Sequence, residues 1–578
     1  MKRIYAIDYL KTIGIIGVLL FHVGLVNNGY LGVEVFFVIS GFLMIKAINK
    51  SVEENSFNPL KYIFKRVATF WPLVAIAGVL SLGVGYYCML PDDYENLAES
   101  VIASNAFSNN ILQAITTKNY WNVVNTYKPL MHTWYIGVLV QAIVFISILL
   151  WVASRISKKN GIKNTLILLT VVSLIAYCLP VFSNSDKFYF FPFRLFEITI
   201  GCLIPYFPNS KISRKTLLLV GNIGILLIVF FLFAGITMPR EVGLLTVVLS
   251  SVLVIWSHGS IGEDYGINEK AYRIITLPGR YSFDVYVWHQ IAIAFLYYSV
   301  FQTLNVALVF LVIAITAVLS ALTIVFRKKV TILSGVGKRI IFSLVFVVIG
   351  CALSGYIYMN AGVVRDVPEL GIDKTNVHRN MHAEYVDIPF SWDVDFEDEQ
   401  KIHILVLGDS FGRDFANILN ESQYSDQFEI SYIYYIYGSD ISDKKERVEQ
   451  ADFVIYASSG WKIPEELAAI PSEKLYVAGN KSFGNSNGII YVNRNKEWYF
   501  DQRVDMPDDM ILHNNALKGV YGDHYIDMIS PLLDEDEQIQ VFTDDHFYIS
   551  QDCRHLTKQG AQYYSRILDL EFLLQKRQ

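Results

Sequence analysis

The sequence predicts a polytopic α-helical membrane domain of about eleven spans, followed by an α/β domain with a mostly parallel sheet. Of the 578 residues, 53% are hydrophobic and only 18% are charged, a composition too apolar for a soluble protein. Long apolar runs fill the chain as far as Asn360, whereas short apolar runs alternate with helix-like stretches from Lys401 onward. The first pattern is typical of membrane-spanning helices and the second of a parallel sheet.

Apolar runs long enough to cross a bilayer about 30 Å thick predict the spans. The first run follows basic residues but lacks a small-residue cleavage site, so we expect it to be retained as a membrane span. The predicted spans lie near residues 7–26, 31–48, 67–90, 130–152, 164–182, 189–206, 215–236, 241–257, 284–303, 305–326 and 339–360.

The charges of the connections predict the orientation of the chain. Every second connection is basic, which by the positive-inside rule places these loops and the N-terminus in the cytoplasm. An odd number of spans then leaves everything after about residue 361 outside. The basic residues are Lys46, Lys50, Lys61, Lys65 and Arg66; Arg155, Lys158, Lys159 and Lys163; Lys211, Arg214 and Lys215; and Arg327, Lys328, Lys329, Lys338 and Arg339.

The remaining composition argues against several classes of partner. The net charge of -6 is modest, and no basic stretch is interleaved with aromatic residues, so we expect no nucleic-acid partner. The five cysteines lie mostly in apolar segments without paired spacing, which argues against both a metal site and a disulfide framework.

Composition divides the chain into four segments. Residues 1–335 form the main membrane domain and 336–360 an additional transmembrane helix, while residues 361–400 are polar, irregular and acidic, which predicts an extracytoplasmic linker. Residues 401–578 form the α/β domain. Its predicted strands are Ile402–Leu407, Phe428–Tyr435, Phe453–Ala457, Leu475–Ala478 and Ile539–Thr543, and the last helix follows Leu556.

Ionisable residues within the predicted spans indicate a polar interior. Lys11 and His22 lie eleven positions apart, about three helical turns or 16 Å, and therefore project from the same face of the first helix. Glu34 follows near the outer end of the second span. Such residues are costly in a membrane and usually face a cavity or a partner. Further candidates are His132, Arg194, Glu197, Arg280, Asp284 and His289.

Simpler interpretations of these residues stay open. A lone histidine or lysine near a helix end often anchors the helix at the interface, and Arg66 also fits a simple positive-inside marker. The whole polar set also fits a transporter with a proton relay. Spacing alone does not separate an enzyme from a carrier.

The α/β domain has the pattern of a serine hydrolase at its two ends. Ser410 follows a strand and a Gly-Asp turn and opens a helix, which exposes its hydroxyl beside backbone N–H groups suited to an oxyanion. Asp552 lies three residues before His555, so its carboxylate can reach the imidazole across one turn and fix its tautomer. Serine first, with aspartate and histidine last, is a workable order for a catalytic triad.

An ordered set of motifs in the first 330 residues resembles the integral-membrane acyltransferase 3 family. The motifs are Asp8 to His22, "GVEVFFVISGFL" from Gly32, "HTW" from His132 with Gln141 downstream, "RLFEITIG" from Arg194 and "YSFDVYVWHQ" from Tyr281. The resemblance implies a multi-pass protein of the bacterial cytoplasmic membrane, in contact with membrane lipids, that takes an acyl group, usually acetyl, from cytoplasmic acetyl-CoA and passes it to an acceptor outside.

The resemblance also assigns roles in the membrane domain. It implies that His22 is a catalytic base or transient acyl carrier, with Glu34 as its acidic partner. Lys11, where the family usually has arginine, is expected to contact CoA together with Arg66 and Arg194. The sequence departs from the family pattern at three further positions: Leu139 and Val140 stand where the family commonly has one or two glutamates, and Thr69 replaces an arginine.

The second domain resembles the SGNH-hydrolase family, which has a flavodoxin-like fold and is often fused to acyltransferase 3 membrane domains. The resemblance rests on "GDS" at Ser410 and "DCRH" ending at His555. It implies two further oxyanion donors in middle loops, for which Gly438 or Gly460 and Asn480 or Asn485 are candidates. It also suggests that Trp461 lines a sugar site, although a core tryptophan fits equally well.

These features together predict an O-acyltransferase, expected to be an O-acetyltransferase, that modifies hydroxyls of a cell-envelope glycan or lipid-linked oligosaccharide. O-antigen or another surface polysaccharide is the favoured acceptor, and peptidoglycan is the alternative. A deacetylase with a membrane anchor is disfavoured, because an anchor needs far fewer spans. A transporter or flippase with an outer carbohydrate-binding domain is the alternative of another class.

Overall fold

The computed structural model describes residues 5–116, 126–157, 160–209, 211–259, 269–299, 305–332, 335–378, 381–436 and 444–577. Contacts within the chain divide it into two compact units. The helical unit comprises Met1–Gly85 and Leu97–Gly355, and the α/β unit comprises Tyr86–Asn96 and Tyr356–Gln578.

The helical unit is built from apolar helices. In chain order they are α1 (Tyr5–His22), α2 (Gly32–Glu53), α3 (Pro59–Cys88), α4 (Pro91–Asn105), α5 (Asn109–Thr116), α6 (Trp134–Ile156), α7 (Asn160–Cys178), α8 (Asn184–Tyr189), α9 (Phe191–Leu203), α10 (Arg214–Phe233), α11 (Arg240–His258), α12 (Glu269–Ile275), α13 (Leu277–Arg280), α14 (Ser282–Ser299), α15 (Val306–Ile332) and α16 (Val336–Met359). By this division, the last residues of α3, the first residues of α4 and the last turn of α16 belong to the α/β unit.

Within the described residues, ten helical segments are long and apolar enough to cross a membrane. They match ten of the eleven predicted spans. The remaining predicted span, near residues 284–303, corresponds to α14, which is helical but is not one of these ten. The reason is its polar content, since α14 carries Asp284, His289 and Gln290. Part of that prediction, residues 300–303, lies outside the described residues.

Glycines let α2 and α9 pack closely. A Cβ atom added at Gly41 would collide with the carbonyl of Ile198, and one added at Gly201 would collide with that of Val38. Small residues at such contacts are the usual means by which membrane helices approach one another. The close packing brings the polar residues of the two helices together in the interior.

The α/β unit contains one parallel sheet and a small antiparallel one. Its strands are β1 (Ile402–Gly408), β2 (Phe428–Tyr434), β3 (Phe453–Ala457), β4 (Leu475–Ala478), β5 (Arg503–Asp505), β6 (Tyr525–Ile526) and β7 (Gln538–Gln540). The parallel sheet has the order β2-β1-β3-β4-β6, which is the flavodoxin-like doubly wound order. The helices are α17 (Met381–Val386), α18 (Ser410–Asn420), α19 (Lys445–Gln450), α20 (Gly488–Tyr491), α21 (Asp508–Tyr521) and α22 (Lys558–Ile567).

Alternate residues of β1 supply two hydrophobic cores. Ile404 and Val406 belong to one buried cluster, and Leu405 and Leu407 belong to another. Because successive side chains of a strand point to opposite faces, the sheet is covered on both sides. This explains the continuous apolar run in the sequence.

The predicted mostly parallel sheet is confirmed, but one of its predicted strands is wrong. The run Ile539–Thr543 does not join the parallel sheet; β7 covers only its start and pairs antiparallel with β5. The fifth parallel strand is β6, whose two residues are too short to give a periodic signal. Residues 361–400, the predicted linker, contribute Val367 and Leu370 to the core of the α/β unit.

Candidate active sites

Ser410, His555 and Asp552 form a chain of hydrogen bonds in the α/β unit. The Oγ atom of Ser410 lies 2.7 Å from Nε2 of His555, and Nδ1 of His555 lies 2.6 Å from Oδ2 of Asp552. Oδ1 of Asp552 accepts the backbone N–H groups of Arg554 at 2.9 Å and His555 at 2.7 Å. The structure therefore brings together the three residues that the sequence singled out in this domain.

The turn after β1 positions Ser410 at the carboxyl end of the sheet. A side chain at Gly408 would collide with the carbonyl of Ala457, so only glycine allows β1 and β3 to come this close. The Tyr432 hydroxyl supports the turn by donating to the carbonyls of Gly408 and Asp409. Ser410 is the first residue of α18, where backbone N–H groups lack helical partners and can stabilise an anion.

Asp409 ties this turn to the loop after β3. Its Oδ1 caps α18 by accepting the Phe411 N–H at 2.9 Å. Its carboxylate also accepts the N–H of Ser459 and the hydroxyls of Ser458 and Ser459. The sequence analysis missed this role of Asp409, whose only signal was its place in the Gly-Asp-Ser turn.

The candidate oxyanion donors have other contacts in the described residues. The Asn480 side chain donates to the Ser459 carbonyl at 2.7 Å, and the Gly460 N–H donates to Ser458 Oγ at 3.2 Å. Asn485 is exposed. Gly438 lies outside the described residues. Trp461 is partly exposed and stacks on His513, with ring centroids 5.0 Å apart.

The contacts of Asp552 keep its carboxyl group charged. Desolvation by the surrounding protein alone would raise the pKa of Asp552. The hydrogen bond and charge of His555, together with the two backbone N–H groups, outweigh this and hold the pKa well below its usual range. An ionised Asp552 fixes the proton of His555 on Nδ1 and leaves Nε2 to accept the Ser410 proton.

A buried ion pair beneath Ser410 went unnoticed in the sequence. Asp414 lies one turn after Ser410 on α18, and its Oδ2 is 2.8 Å from Nζ of Lys481, with both side chains at most 2% exposed. The same oxygen accepts the N–H of Leu556, the residue after His555, at 3.0 Å. Asp414 therefore links the serine helix to the loop that carries the histidine.

Three histidines lie together inside the helical unit: His22 at the end of α1, His289 in α14 and His132 just before α6. Nδ1 of His22 lies 3.0 Å from Nε2 of His289, and the ring centroids of His132 and His289 are 5.4 Å apart. The sequence analysis named all three residues as polar but assigned a role only to His22.

The contacts of His289 fix the tautomers of the histidine pair. Its Nδ1 lies 2.6 Å from the carbonyl of Tyr286, and a carbonyl can only accept, so this nitrogen carries the proton. Nε2 of neutral His289 is then an acceptor for the proton on Nδ1 of His22. A neutral His22 consequently has its basic lone pair on Nε2, as a general base requires.

Glu34 contacts Arg194. Both carboxylate oxygens of Glu34 lie 3.0 Å from Nη2 of Arg194, and Nη1 of Arg194 lies 2.9 Å from Glu197. All three side chains are at most 2% exposed. Rings of Phe37, Trp134 and Phe188 surround the guanidinium. This places Glu34 and Arg194 in one buried ion cluster, while His22 is hydrogen-bonded to His289.

Lys11 on α1 and Arg66 on α3 are the other two residues that are predicted to contact CoA. Lys11 is partly buried on α1, eleven residues before His22. Arg66 donates from Nε to the Tyr62 hydroxyl at 2.9 Å and stacks over the same ring. The binding of CoA by Lys11 and Arg66 stays a prediction.

Known proteins are similar to about half of the chain. The chain is 26% identical over 334 residues to a Komagataeibacter xylinus protein with the provisional name membrane-bound transacylase BcsY, covering 56% of this chain and 81% of that protein. It is 25% identical over 315 residues to the peptidoglycan O-acetyltransferase OatA of Listeria monocytogenes, covering 50% of this chain and 49% of that protein.

A third relative is a Staphylococcus aureus protein with the provisional name O-acetyltransferase SACOL0978, which is 22% identical over 344 residues. The chain spans only about half the length of the Listeria and Staphylococcus proteins, at 49% and 56%. No solved structure matches the chain.

The family comparison agrees with the helical architecture. A model described as the acyltransferase domain of the acyltransferase 3 family matches residues 4–326, which is more than half of the chain and includes the three histidines and the Glu34–Arg194 pair. The protein is therefore a multi-pass membrane acyltransferase with an additional α/β unit, and it belongs to the acyltransferase 3 family.

Proposed function

We propose that this protein is an O-acetyltransferase that moves an acetyl group from cytoplasmic acetyl-CoA across the bacterial inner membrane to hydroxyls of an envelope polysaccharide. The observation that carries this proposal is the Ser410–His555–Asp552 hydrogen-bond chain in a protein of an acyltransferase family. We further propose that the α/β unit is an SGNH-hydrolase-like domain and that it faces the outside.

The membrane half of the proposed reaction centres on His22. Acetyl-CoA supplies an activated thioester, and the helical unit binds and orients it. His22 acts through Nε2 either as a base that accepts a proton from an incoming hydroxyl or as a transient carrier of the acetyl group. The hydrogen bond from His22 to His289 supports this role, because it leaves the lone pair on the required nitrogen.

Ser410 performs the second transfer. Its Oγ attacks the acetyl carbonyl carbon while His555 takes the hydroxyl proton, and the departing carrier recovers that proton from His555. The acceptor hydroxyl then attacks the acetyl-serine, His555 takes the acceptor proton, and Ser410 regains it as the ester bond to serine breaks. Water can replace the acceptor in this step, which would make the same triad an esterase.

A surface polysaccharide such as O-antigen is the acceptor that we favour, as a lipid-linked glycan lies close to the membrane. Peptidoglycan is the second candidate, because one relative is named a peptidoglycan O-acetyltransferase. The two candidates can be distinguished by whether the acetyl esters are found on the surface polysaccharide or on the peptidoglycan.

The test compares strains that express the protein or its variants as the only such enzyme. Mass spectrometry of surface polysaccharide and of peptidoglycan should find acetyl esters on one of them in the parent strain. These esters should be absent with Ser410→Ala or His22→Ala and retained with the controls Ser391→Ala and His258→Ala. Unchanged acetylation in Ser410→Ala would mean that the acetyl group reaches the glycan without Ser410 and would overturn the proposed triad.

A further inference from the structure

A groove with two arginines lies in the helical unit between α3, α15 and α16. Its volume is about 280 Å³, and its lining includes Thr69, Tyr281, Thr323, Arg327, Arg339 and Phe342. We name it the arginine groove. It includes the end of α15 and the start of α16, which the positive-inside rule predicts to lie on the cytoplasmic side. Both arginines lie beyond residues 4–326, so the family match assigns them no role.

The charges of the arginine groove leave an excess of positive charge. Arg327 lies 2.6 Å from the buried carboxylate of Asp284, which offsets one cation. Arg339 adds a second guanidinium, and its buried Nε has no hydrogen-bond partner among the described residues. A buried donor without an acceptor is unfavourable, so Nε of Arg339 needs an acceptor, and the second guanidinium favours one that is negatively charged. Phosphoryl oxygens suit it well, because guanidinium groups bind phosphate through paired hydrogen bonds.

A second, smaller cavity is lined by residues adjacent in sequence to those of the groove. It has a volume of about 130 Å³ and is lined by Ser40, Phe70, Tyr135, Leu139, Phe283 and Tyr286. Adjacent residues of α3 border the two spaces, since Thr69 lines the groove and Phe70 lines the cavity. The ring of Tyr286 is 5.6 Å from that of His289. We name this space the central cavity.

One helix segment borders the whole series. Tyr281, directly before α14, lines the groove; Phe283 and Tyr286 line the cavity; and His289 follows, eight residues after Tyr281. Eight helical residues span about 12 Å. An anionic group in the groove would therefore lie about that distance from the His22–His289 pair, and a flexible arm could connect the two.

We propose that the arginine groove binds a phosphoryl group of the thioester donor, with Arg339 as its main contact, and that the arm of the donor follows α14 through the central cavity to His22. This inference rests on the proposed use of acetyl-CoA. An anionic lipid headgroup offers the same phosphate chemistry. We favour the donor because the groove and the central cavity both border α14, the helix that carries His289.

Direct binding measurements on the full-length protein in phosphatidylcholine nanodiscs test the proposal. The ligands are CoA and pantetheine, which carries the same thiol arm without phosphates. The ratio of their dissociation constants reports the phosphate contacts. The variants are Arg339→Gln, Arg339→Lys and the matched control Lys338→Gln, which removes an exposed cation from the adjacent position of the same helix.

We expect Arg339→Gln to weaken CoA binding about tenfold or more with little effect on pantetheine, because a charge-assisted contact to phosphate is lost. Arg339→Lys should recover part of the loss, and Lys338→Gln should bind as the parent protein does. Equal CoA affinity in the parent and Arg339→Gln would overturn the groove assignment alone. Failure of the parent to bind CoA would instead contradict the proposed donor, and this inference with it.

The lipid alternative has its own readout. Native mass spectrometry in nanodiscs containing phosphatidylglycerol counts the lipids retained by the parent and by Arg339→Gln. Retention of equal numbers supports the donor assignment. Loss of bound phosphatidylglycerol in Arg339→Gln, with CoA affinity unchanged, would overturn it in favour of a headgroup site.

Discussion

Nδ1 of His22 lies 3.0 Å from Nε2 of His289, although the two residues are 267 positions apart in the chain. Nδ1 of His289 is in turn held by the Tyr286 carbonyl at 2.6 Å. The pair joins the end of α1 to the middle of α14 and determines which nitrogen of His22 is basic. We therefore expect His289 to act as a positioning residue for His22, with consequences that can be measured.

Replacement of His289 should reduce turnover without affecting donor binding. His289→Ala removes the acceptor for the His22 proton, and we expect kcat for CoA release from acetyl-CoA to fall about 100-fold, as for a misplaced catalytic group. KM should change little. His289→Gln offers an amide oxygen as acceptor and should retain more activity than His289→Ala. Equal losses in both variants, or a loss confined to KM, would contradict the positioning role.

Replacement of Asp552 should change how esterase activity depends on pH. We expect Asp552→Asn to hydrolyse an activated acetyl ester about 1,000-fold or more slowly near neutral pH, because the charge that orients His555 is lost. The pKa of Asp552 is lowered, so its charge is fully present above the ordinary aspartate value of about 3.9 and is lost only as pH falls toward the lower folded value.

Because Asp552 stays ionised, its protonation should cause no decline in the parent rate above about pH 5, and the difference from Asp552→Asn should be present at neutral pH. The measurement is a pH–rate profile of both proteins with the same ester. Equal rates of the two proteins at neutral pH would contradict an ionised Asp552 that orients His555.

Replacement of Arg194 should act on stability. Arg194→Leu leaves Glu34 and Glu197 buried without their cation, which typically costs about 3–5 kcal/mol. We expect a lower thermal unfolding temperature and reduced yield, with unchanged CoA affinity in the folded fraction. Weaker CoA binding at an unchanged unfolding temperature would instead support the predicted contact between Arg194 and CoA.

The Asp414–Lys481 pair should behave as a coupled unit. Asp414→Asn keeps an acceptor for the Leu556 N–H but leaves the buried Lys481 cation without its charged partner, so we expect a clear loss of stability. Adding Lys481→Met should restore much of that loss. A thermal double-mutant cycle measures the coupling, and additive effects of the two substitutions would mean that the pair is energetically independent.

The sequence predicted those parts of the fold that depend on local patterns. Long apolar runs identified the spans, and the strand runs beginning at Ile402 and Phe453 matched β1 and β3 closely. β6 escaped notice because its place depends on pairing with β4 rather than on its own two residues. The Ile539–Thr543 run was apolar for another reason, since Ile539, Val541 and Phe542 belong to the core.

The site residues that could be predicted are likewise those that stand in local sequence motifs. Ser410 and His555 stood in recognisable local motifs. The partner of His22 could not be predicted, because helix packing brings His289 to it from a distant part of the chain. The sequence showed that Thr69 replaces an arginine of the family pattern. Only the packing of α15 and α16 brings Arg327 and Arg339 to the groove that Thr69 lines.

The most direct test of the central claim follows the acetyl group onto Ser410. Full-length protein in liposomes is incubated briefly with isotope-labelled acetyl-CoA, quenched with acid and digested, and the peptide that contains Ser410 is analysed by mass spectrometry. We predict labelled acetyl-serine at Ser410 in the parent protein and none in His22→Ala. Labelling in His22→Ala equal to the parent, or acceptor acetylation at the parental level in Ser410→Ala, would contradict the relay.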